Sequence, residues 1–397
     1  CDPGREGLAD PERLNLMSDL KLGLIGAGNI SASYLGRAPH FAGIRFVAVA
    51  DMNQAAAEAR ATEYGIEARG VDALLASPDI DLIVNLTIPA AHFDISKRAL
   101  EAGKHVYSEK PYVLTLEEGR ELARIAAERG LRIGSAPDTF LGTSHQLARH
   151  IVDSGAIGRV TSGTCAVMSS GMEGWHPNPD FFFLKGGGPV LDLGPYYISN
   201  LVQLLGPVAR VAALASTPSP TRTIGSAARK GEQIPVETPT TIHALLEFEG
   251  GAVISFQSSW DVHQHDLKPM ALYGTEGTLH IPDPNFFDGE VRVTRRADPA
   301  PLPAWDHPLG PPNRETNNGK SVADYRASGL ADMALAIAEG RPHRCNDELA
   351  LHVVEVMTAI LKSDEEGRFV PMTTTCARPE ALDPQAAASL LAQPVPA

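Results

Sequence analysis

The chain has 397 residues, is 43% hydrophobic and carries a formal net charge of −14, from 34 Lys and Arg against 48 Asp and Glu. That length and apolar content can fill two substantial cores, while the acidic balance argues against nucleic acid or an anionic membrane as partner. No apolar run is long enough to span a bilayer, and the four scattered cysteines form no Cys-x-x-Cys pair, so reduced thiols in a cytoplasmic protein are expected rather than a metal or redox site.

Residues 1–16 lack an apolar signal core and Met17 stands just before the first strand signal, so 1–18 are expected to be extraneous or disordered. Residues 22–25 then read as a short buried strand, apolar on both faces as parallel strands are. It runs into Gly26-Ala27-Gly28-Asn29-Ile30-Ser31. Gly26 permits a tight turn, and Gly28 lets backbone approach a pyrophosphate. A helix opening at Asn29 and Ile30 offers free N–H groups and the positive end of its dipole. The third position is Ser31 instead of Gly or Ala, still small enough for close helix–strand packing. A second strand at 46–50 ends in Asp51, twenty residues beyond Ser31. An acid there accepts from the adenine ribose hydroxyls and repels a 2′-phosphate, which favours NAD over NADP. Asp51 also suits the N-cap of a helix at 53–64, and the two roles are compatible.

Strands at 82–87, 105–108 and 132–135 alternate with helices at 71–76, 91–102 and 116–129. This alternation predicts a parallel sheet with helices on both faces, a Rossmann dinucleotide-binding domain over 19–138. Its ligand crevice lies outside the carboxyl ends of the strands, where Thr87, Pro89, His92, Glu109 and Lys110 fall. After Pro137 the pattern changes. A helix at 143–154, a strand near 159–169, Gly186-Gly187-Gly188 and a helix at 196–205 precede strand-like stretches at 208–215, 240–247, 253–260, 270–273 and 291–294. Strands without intervening helices predict a large, mostly antiparallel open sheet in a C-terminal domain over 139–372, with helices at 323–339 and 348–363. Residues 216–239 read as a long excursion loop, and 373–397 as a loosely held Pro/Ala-rich tail.

Lys110 stands between Glu109 and Pro111 at a strand end, so its backbone is stiffened; the Lys110–Pro111 bond could be cis. A positive nicotinamide ring within ~5 Å disfavours the ammonium by about 3 kcal/mol at an effective dielectric of about 20. A neutral amine there can take a hydroxyl proton as hydride leaves, and the ammonium can return it. Read alone, the same residue is equally a surface lysine paired with Glu109.

Taken together, the Gly26–Ser31 turn, Ala99-Leu100-Glu101-Ala102-Gly103-Lys104-His105-Val106 leading to Glu109-Lys110-Pro111, and the run from Gly186 to Gly194 resemble the Gfo/Idh/MocA oxidoreductases over nearly the whole chain from Met17. The resemblance implies that Lys110 is the catalytic acid/base. It also implies that Thr87, Pro89 and His92 lie beside the nicotinamide ribose, and that Asp192 holds or charge-balances the lysine. The family's Asp-x-x-x-His is here Asp192-Leu193-Gly194-Pro195-Tyr196, so Tyr196 stands where histidine would and is expected to orient substrate and relay a proton. Asp192 read alone is a helix cap, and His92 a helix-terminus histidine. Trp175, His176 and Asn178 could stack on and hydrogen-bond a polyhydroxylated ring; the plainer reading tucks Trp175 into the core. His263 and His265 share a strand face but have no third ligand nearby, so no metal is expected. The expected activity is NAD-dependent hydride transfer between nicotinamide and a ring hydroxyl or ketone of a sugar, sugar derivative or cyclitol, in a homodimer or homotetramer. The alternatives are a cofactor-retaining glycoside-processing enzyme and a non-catalytic NAD- or ligand-sensing homologue.

Overall fold

In the computed structural model, residues 19–295, 302–316 and 319–392 are described; the expectation for 1–18 lies outside them. Strands β1 (Leu20–Ile25), β2 (Ile44–Ala50), β3 (Glu67–Ala68), β4 (Leu82–Asn85), β5 (His105–Ser108) and β6 (Ile133–Ser135) form one six-stranded parallel sheet in the order β3-β2-β1-β4-β5-β6. Leu22 and Leu24 on β1 and Leu82, Ile83 and Val84 on β4 are fully buried, so both faces of the central strands are covered. Each such side chain contributes about 1.5–3 kcal/mol of burial. Helices α1 (Asn29–Arg37), α2 (Gln54–Tyr64), α3 (Val71–Ala76), α4 (Pro89–Glu101) and α5 (Leu116–Arg129) supply the cover. The α5 start is a capping box in which the Thr115 hydroxyl accepts from the Glu118 N–H and the Glu118 carboxylate accepts from the Thr115 N–H.

The C-terminal region opens with α6 (Thr143–Asp153), β7 (Val160–Met168), the single turn α7 (Asp180–Phe183) and α8 (Pro189–Leu205). Next come β8 (Val208–Ser216), the small pair β9 (Thr221–Thr223) and β10 (Gln233–Pro235), then β11 (Thr241–Phe248), β12 (Val253–Ser259), β13 (Met270–Gly274), β14 (Gly277–Ile281) and β15 (Arg292–Arg295). The short strands β16 (Arg314–Glu315) and β17 (Ser321–Val322) lead to α9 (Ser328–Glu339), α10 (Asp347–Glu366), β18 (Val370–Pro371) and α11 (Pro384–Ala388). An eight-stranded sheet runs β15-β14-β13-β7-β12-β11-β8-β18. Only the β7–β12 pair in it is parallel. Helices α8 and α10 pack on one face. On the other, Leu214, Leu245, Val253 and Tyr273 stand exposed, as one face of an antiparallel sheet can when the opposite face is packed on the core.

Several boundaries differ from the sequence reading. The helix expected at 196–205 begins at Pro189 and carries Pro195 inside it, because the Gly188 turn and Pro189 at the first position start it earlier. Residues 216–239 are not a plain loop: β9 and β10 pair, and Ile224 and Ile234 join Phe183 and Trp260 in a small separate core. The tail is held through residue 392, because Leu382, Ala387 and Leu390 are buried and the Ala42 N–H donates to the Leu390 carbonyl. No helix among the described residues is long and apolar enough to cross a membrane.

Candidate active site

The crevice runs along the carboxyl edge of the parallel sheet, and the strand order places its parts in a row. Asp51 follows β2, the Gly26–Gly28 turn follows β1, Thr87 follows β4 and Lys110 follows β5. From β2 to β5 is three inter-strand steps, about 14 Å, which lays out a site for an extended two-nucleotide ligand across the point where strand order reverses.

At the glycine turn, Gly26 has φ +108°, and a Cβ there would come within 2.5 Å of the Leu86 carbonyl oxygen. Gly28 is different: it is exposed, it caps α1 without any side-chain bond, and a Cβ added to it would meet nothing within 4 Å. The uncapped helix end at Asn29 and Ile30 therefore faces open space, which fits a pyrophosphate. Ser31 is fully buried, donates to the Gly28 carbonyl at 2.6 Å and accepts from Arg60 Nε at 3.0 Å. Asp51 does not cap α2. Asn53 does, accepting from the Ala56 N–H. The Asp51 carboxylate instead accepts from the Ala27 N–H and the Asn53 N–H, both at 2.7 Å. It thus ties the end of β2 to the glycine turn and still holds lone pairs for two ribose hydroxyls. Met52 is fully exposed and Ile88 is 70% exposed at the ends of β2 and β4, apolar surface bordering the same crevice.

His92 is corrected by the structure. It is fully buried, with Nδ1 2.7 Å from the Pro111 carbonyl oxygen and Nε2 3.0 Å from the Thr87 carbonyl oxygen. On α4 it shares the buried face with Ser96, Ala99 and Leu100, so it turns inward and clamps the Thr87 segment to the Lys110 segment instead of meeting a ligand. Burial pushes its imidazole below the usual range, against the pull of the two carbonyls and Glu109. Thr87 is half-buried and donates its hydroxyl to Asn85 Oδ1 at 2.7 Å. Glu109 is also held inside. Its Oε1 accepts from the Tyr34 hydroxyl at 3.0 Å and its Oε2 from the Lys110 N–H at 2.9 Å. It therefore supports the lysine loop from behind and is not presented to a cofactor.

The Lys110–Pro111 bond, whose isomer the sequence left open, is cis. Lys110 Nζ donates to both the backbone carbonyl and Oδ1 of Asp192, each at 2.7 Å. The lysine side chain is 16% exposed and that of Asp192 is 20% exposed. Asp192 lies in the first turn of α8, whose cap is Gly188, so its carboxylate serves the lysine and not the helix end. Tyr196 is one turn further on, and its ring centroid is 5.3 Å from Nζ. Burial alone would favour a neutral amine, but Asp192, Tyr196 and Glu109 outweigh it and hold Lys110 above the ordinary lysine range. At neutral pH the group is thus an ammonium.

The expected substrate loop divides. Trp175 is 66% exposed, so it is not tucked into the core. His176 Nδ1 accepts from the Asn178 N–H at 3.1 Å, and its ring meets Trp175, Phe181 and Phe182 edge-on. Tyr197 is buried and donates to Asp283 Oδ1 at 2.7 Å. Asn200 and Gln203, on the same helix, are buried in a network with His145. His263 and His265 are exposed in the segment after β12, and no group of metal-ligating side chains occurs among the described residues.

One site residue escaped the sequence reading. Arg326, just ahead of α9, reaches Glu109 Oε1 at 3.4 Å with its side chain 15% exposed. Placing residues 323–339 in a single helix concealed it. The signal was Ser328-Gly329 ahead of the apolar run, which marks a later helix start.

Two family models match the chain: the oxidoreductase family with NAD-binding Rossmann fold over residues 20–136, and the GFO/IDH/MocA C-terminal domain over 145–280. A D-xylose dehydrogenase of Paenarthrobacter nicotinovorans is 25% identical over 323 residues, 76% of this chain and 79% of that protein. A levoglucosan dehydrogenase of Pseudarthrobacter phenanthrenivorans is 26% identical over 292 residues, 66% of this chain and 73% of that one. Among solved structures, a levoglucosan dehydrogenase in complex with NADH and levoglucosan matches with a TM-score of 0.76 at 23% identity, covering 90% of this chain and 100% of that one. At that identity the match speaks to the fold alone.

Proposed function

The chain belongs to the GFO/IDH/MocA family of NAD-binding oxidoreductases, and from that premise we propose that it is an NAD-dependent dehydrogenase of a sugar, sugar derivative or cyclitol. It interconverts one ring hydroxyl and its ketone, with Lys110 as acid/base. The observation that carries this reading is the Lys110 amine, fastened by two 2.7 Å bonds to Asp192 at the carboxyl end of β5, in the same row as the glycine turn. Relatives named for D-xylose, inositol and levoglucosan support the substrate class.

Bound NAD(H) supplies the hydride acceptor or donor. Gly28, Asn29 and Ile30 hold its pyrophosphate, and Asp51 its adenine ribose, which favours NAD over the 2′-phosphorylated form. Thr87 and Pro89 line the path to Lys110. In the reducing direction Lys110 gives its Nζ proton to the oxygen of the substrate carbonyl. In the oxidising direction it takes the proton of the carbinol hydroxyl. Asp192 fixes Nζ in place, and Tyr196 orients the sugar oxygen from the other side. Trp175, His176 and Asn178 form the outer wall for the rest of the ring. The open face of the large sheet, with Leu214 and Leu245 exposed, is the surface by which copies of the chain associate in a homodimer or homotetramer.

The test is to incubate the protein with NAD and a panel of polyols and pyranosides while following NADH absorbance. NADH formation with a sugar or cyclitol is expected. Silence across the panel despite measurable NAD binding would remove the dehydrogenase reading. Purification with bound NAD and product formed without net NADH would instead indicate a cofactor-retaining cycle.

A further inference from the structure

Arg326 reaches Glu109 from a backbone that carries strain. The next residue, Ala327, has φ +83° and is fully buried; it is the one non-glycine residue with positive φ among the described residues. Such a conformation persists only where the surroundings over-determine it. Here they do. The Ser328 hydroxyl and the Gly329 N–H both donate to Asp138 Oδ2, at 3.3 and 3.1 Å. A Cβ on Gly329 would come within 2.5 Å of the Tyr107 hydroxyl oxygen. The segment is pinned to the end of β6, and the side chain it delivers is Arg326.

The charges around it form two pairs. Lys110 Nζ bonds Asp192 Oδ1 at 2.7 Å, and Arg326 lies 3.4 Å from Glu109 Oε1. Glu109 is the residue adjoining Lys110 in the chain, and Tyr34 from α1 donates to the same Oε1. Tyr196 is electrostatically coupled to both cations, and Asp138 and Tyr34 also face Arg326. His92 from α4 also lies near Lys110, and burial pushes its imidazole below the ordinary range. Without Arg326, the Glu109 carboxylate would stand beside Lys110 with no cationic partner except the lysine itself.

We propose that Arg326 is a positioning residue that pairs with Glu109, withholds that carboxylate's field from Lys110, and so sets how readily Lys110 gives up its proton. This deepens the acid/base role proposed above, but its test does not need turnover. Acetic anhydride labels only neutral amines, so at fixed pH the labelling rate of Lys110 follows its neutral fraction. The full-length protein without ligand is labelled at pH 9, and Lys110 acetylation is read by peptide mass spectrometry against Lys362, whose side chain is 55% exposed.

Losing one nearby charge shifts such an amine by about one pH unit, a tenfold change in rate. Arg326→Gln is expected to label Lys110 about tenfold more slowly, and Arg326→Lys at close to the wild-type rate. Glu109→Gln is expected to label it about tenfold faster, and the double variant to return near wild type. A merely structural role predicts the opposite sign for Arg326→Gln, because a loosened site exposes the amine and speeds labelling. An unchanged or faster rate in Arg326→Gln overturns the proposal. Should that variant not fold, as judged by its thermal melt, an unchanged rate in Glu109→Gln overturns it equally. If labelling behaves as expected while Lys110→Met retains full turnover, it is the acid/base reading that falls and the charge pairing that stands.

Discussion

The two ends of the crevice are built by different means. The dinucleotide end is made of backbone and local turns: Gly26 closing against Leu86, Gly28 open to space, and Asp51 bonded to Ala27 and Asn53 within one β-α-β unit. The proposed reacting end is made of side chains from distant segments, with Lys110 and Glu109 from just after β5, Asp192 and Tyr196 from α8, and Arg326 from ahead of α9. The first can be altered without changing any charge at the second, and the second can be altered without touching the turn. Variants at the two ends should therefore separate binding from chemistry.

The largest separation is expected at Lys110. Lys110→Met should lower kcat by about 10²–10⁴-fold, the range for losing a general acid/base, while the dissociation constant for NADH, read by fluorescence, stays within about threefold. Equal losses in both would erase the distinction between the ends. Next comes the glycine pair. Gly26→Ala forces a Cβ onto the Leu86 carbonyl at φ +108° and should both lower the melting temperature and abolish saturable NADH binding. Gly28→Ala meets nothing in the protein, so its melting temperature should match the wild type while NADH affinity falls about tenfold or more. An unchanged affinity in Gly28→Ala would mean that the space before α1 is not where the pyrophosphate lies.

Acid should distinguish the regions by stability. Burial pushes His145, His343 and His352, all in the C-terminal part, down to about 4. A histidine with a depressed folded pKa contributes stability that is present above its unfolded value near 6.5 and is lost as pH falls towards the folded one. Each is worth on the order of 3 kcal/mol across that window. Burial raises Asp138 to about 6, which has the opposite sign and returns part of the loss as pH falls. Urea midpoints should drop steeply between pH 6.5 and 4, and His145→Asn should flatten that slope. Smaller effects are expected at Tyr196 and Asp51. Tyr196→Phe should lower kcat about tenfold with little change in NADH affinity. Asp51→Ala should raise the KM for NAD by about tenfold and leave that for the sugar alone; no change for NAD would remove the basis for its preference.

The same contrast explains what could be read from the sequence. The glycine turn, Asp51 and five of the six parallel strands were legible because their signals are local: a tight turn needs glycine, and a strand covered on both faces is apolar throughout, whereas the two-residue β3, Glu67–Ala68, carries no such run. Lys110 was legible through its position at a strand end and through the resemblance. His92 was misplaced because its place at a strand end outweighed its spacing to Ser96, Ala99 and Leu100, which puts it on the buried face of α4. The hold on the tail was missed because three apolar residues in a Pro/Ala-rich stretch, Leu382, Ala387 and Leu390, carry it. Arg326 was invisible because its meaning lies in Glu109, 217 residues away, and no spacing in one sequence reports such a pair.

The central claim is spatial: one amine stands where the reactive ring of the dinucleotide meets the carbon that changes oxidation state. A crystal structure with NADH and a sugar or cyclitol identified by the panel would measure it. Lys110 Nζ should lie within about 2.6–3.2 Å of the reacting oxygen, with the nicotinamide on the opposite side of that carbon. A ternary complex in which another group occupies that place, with Nζ turned away beside Asp192, would contradict it.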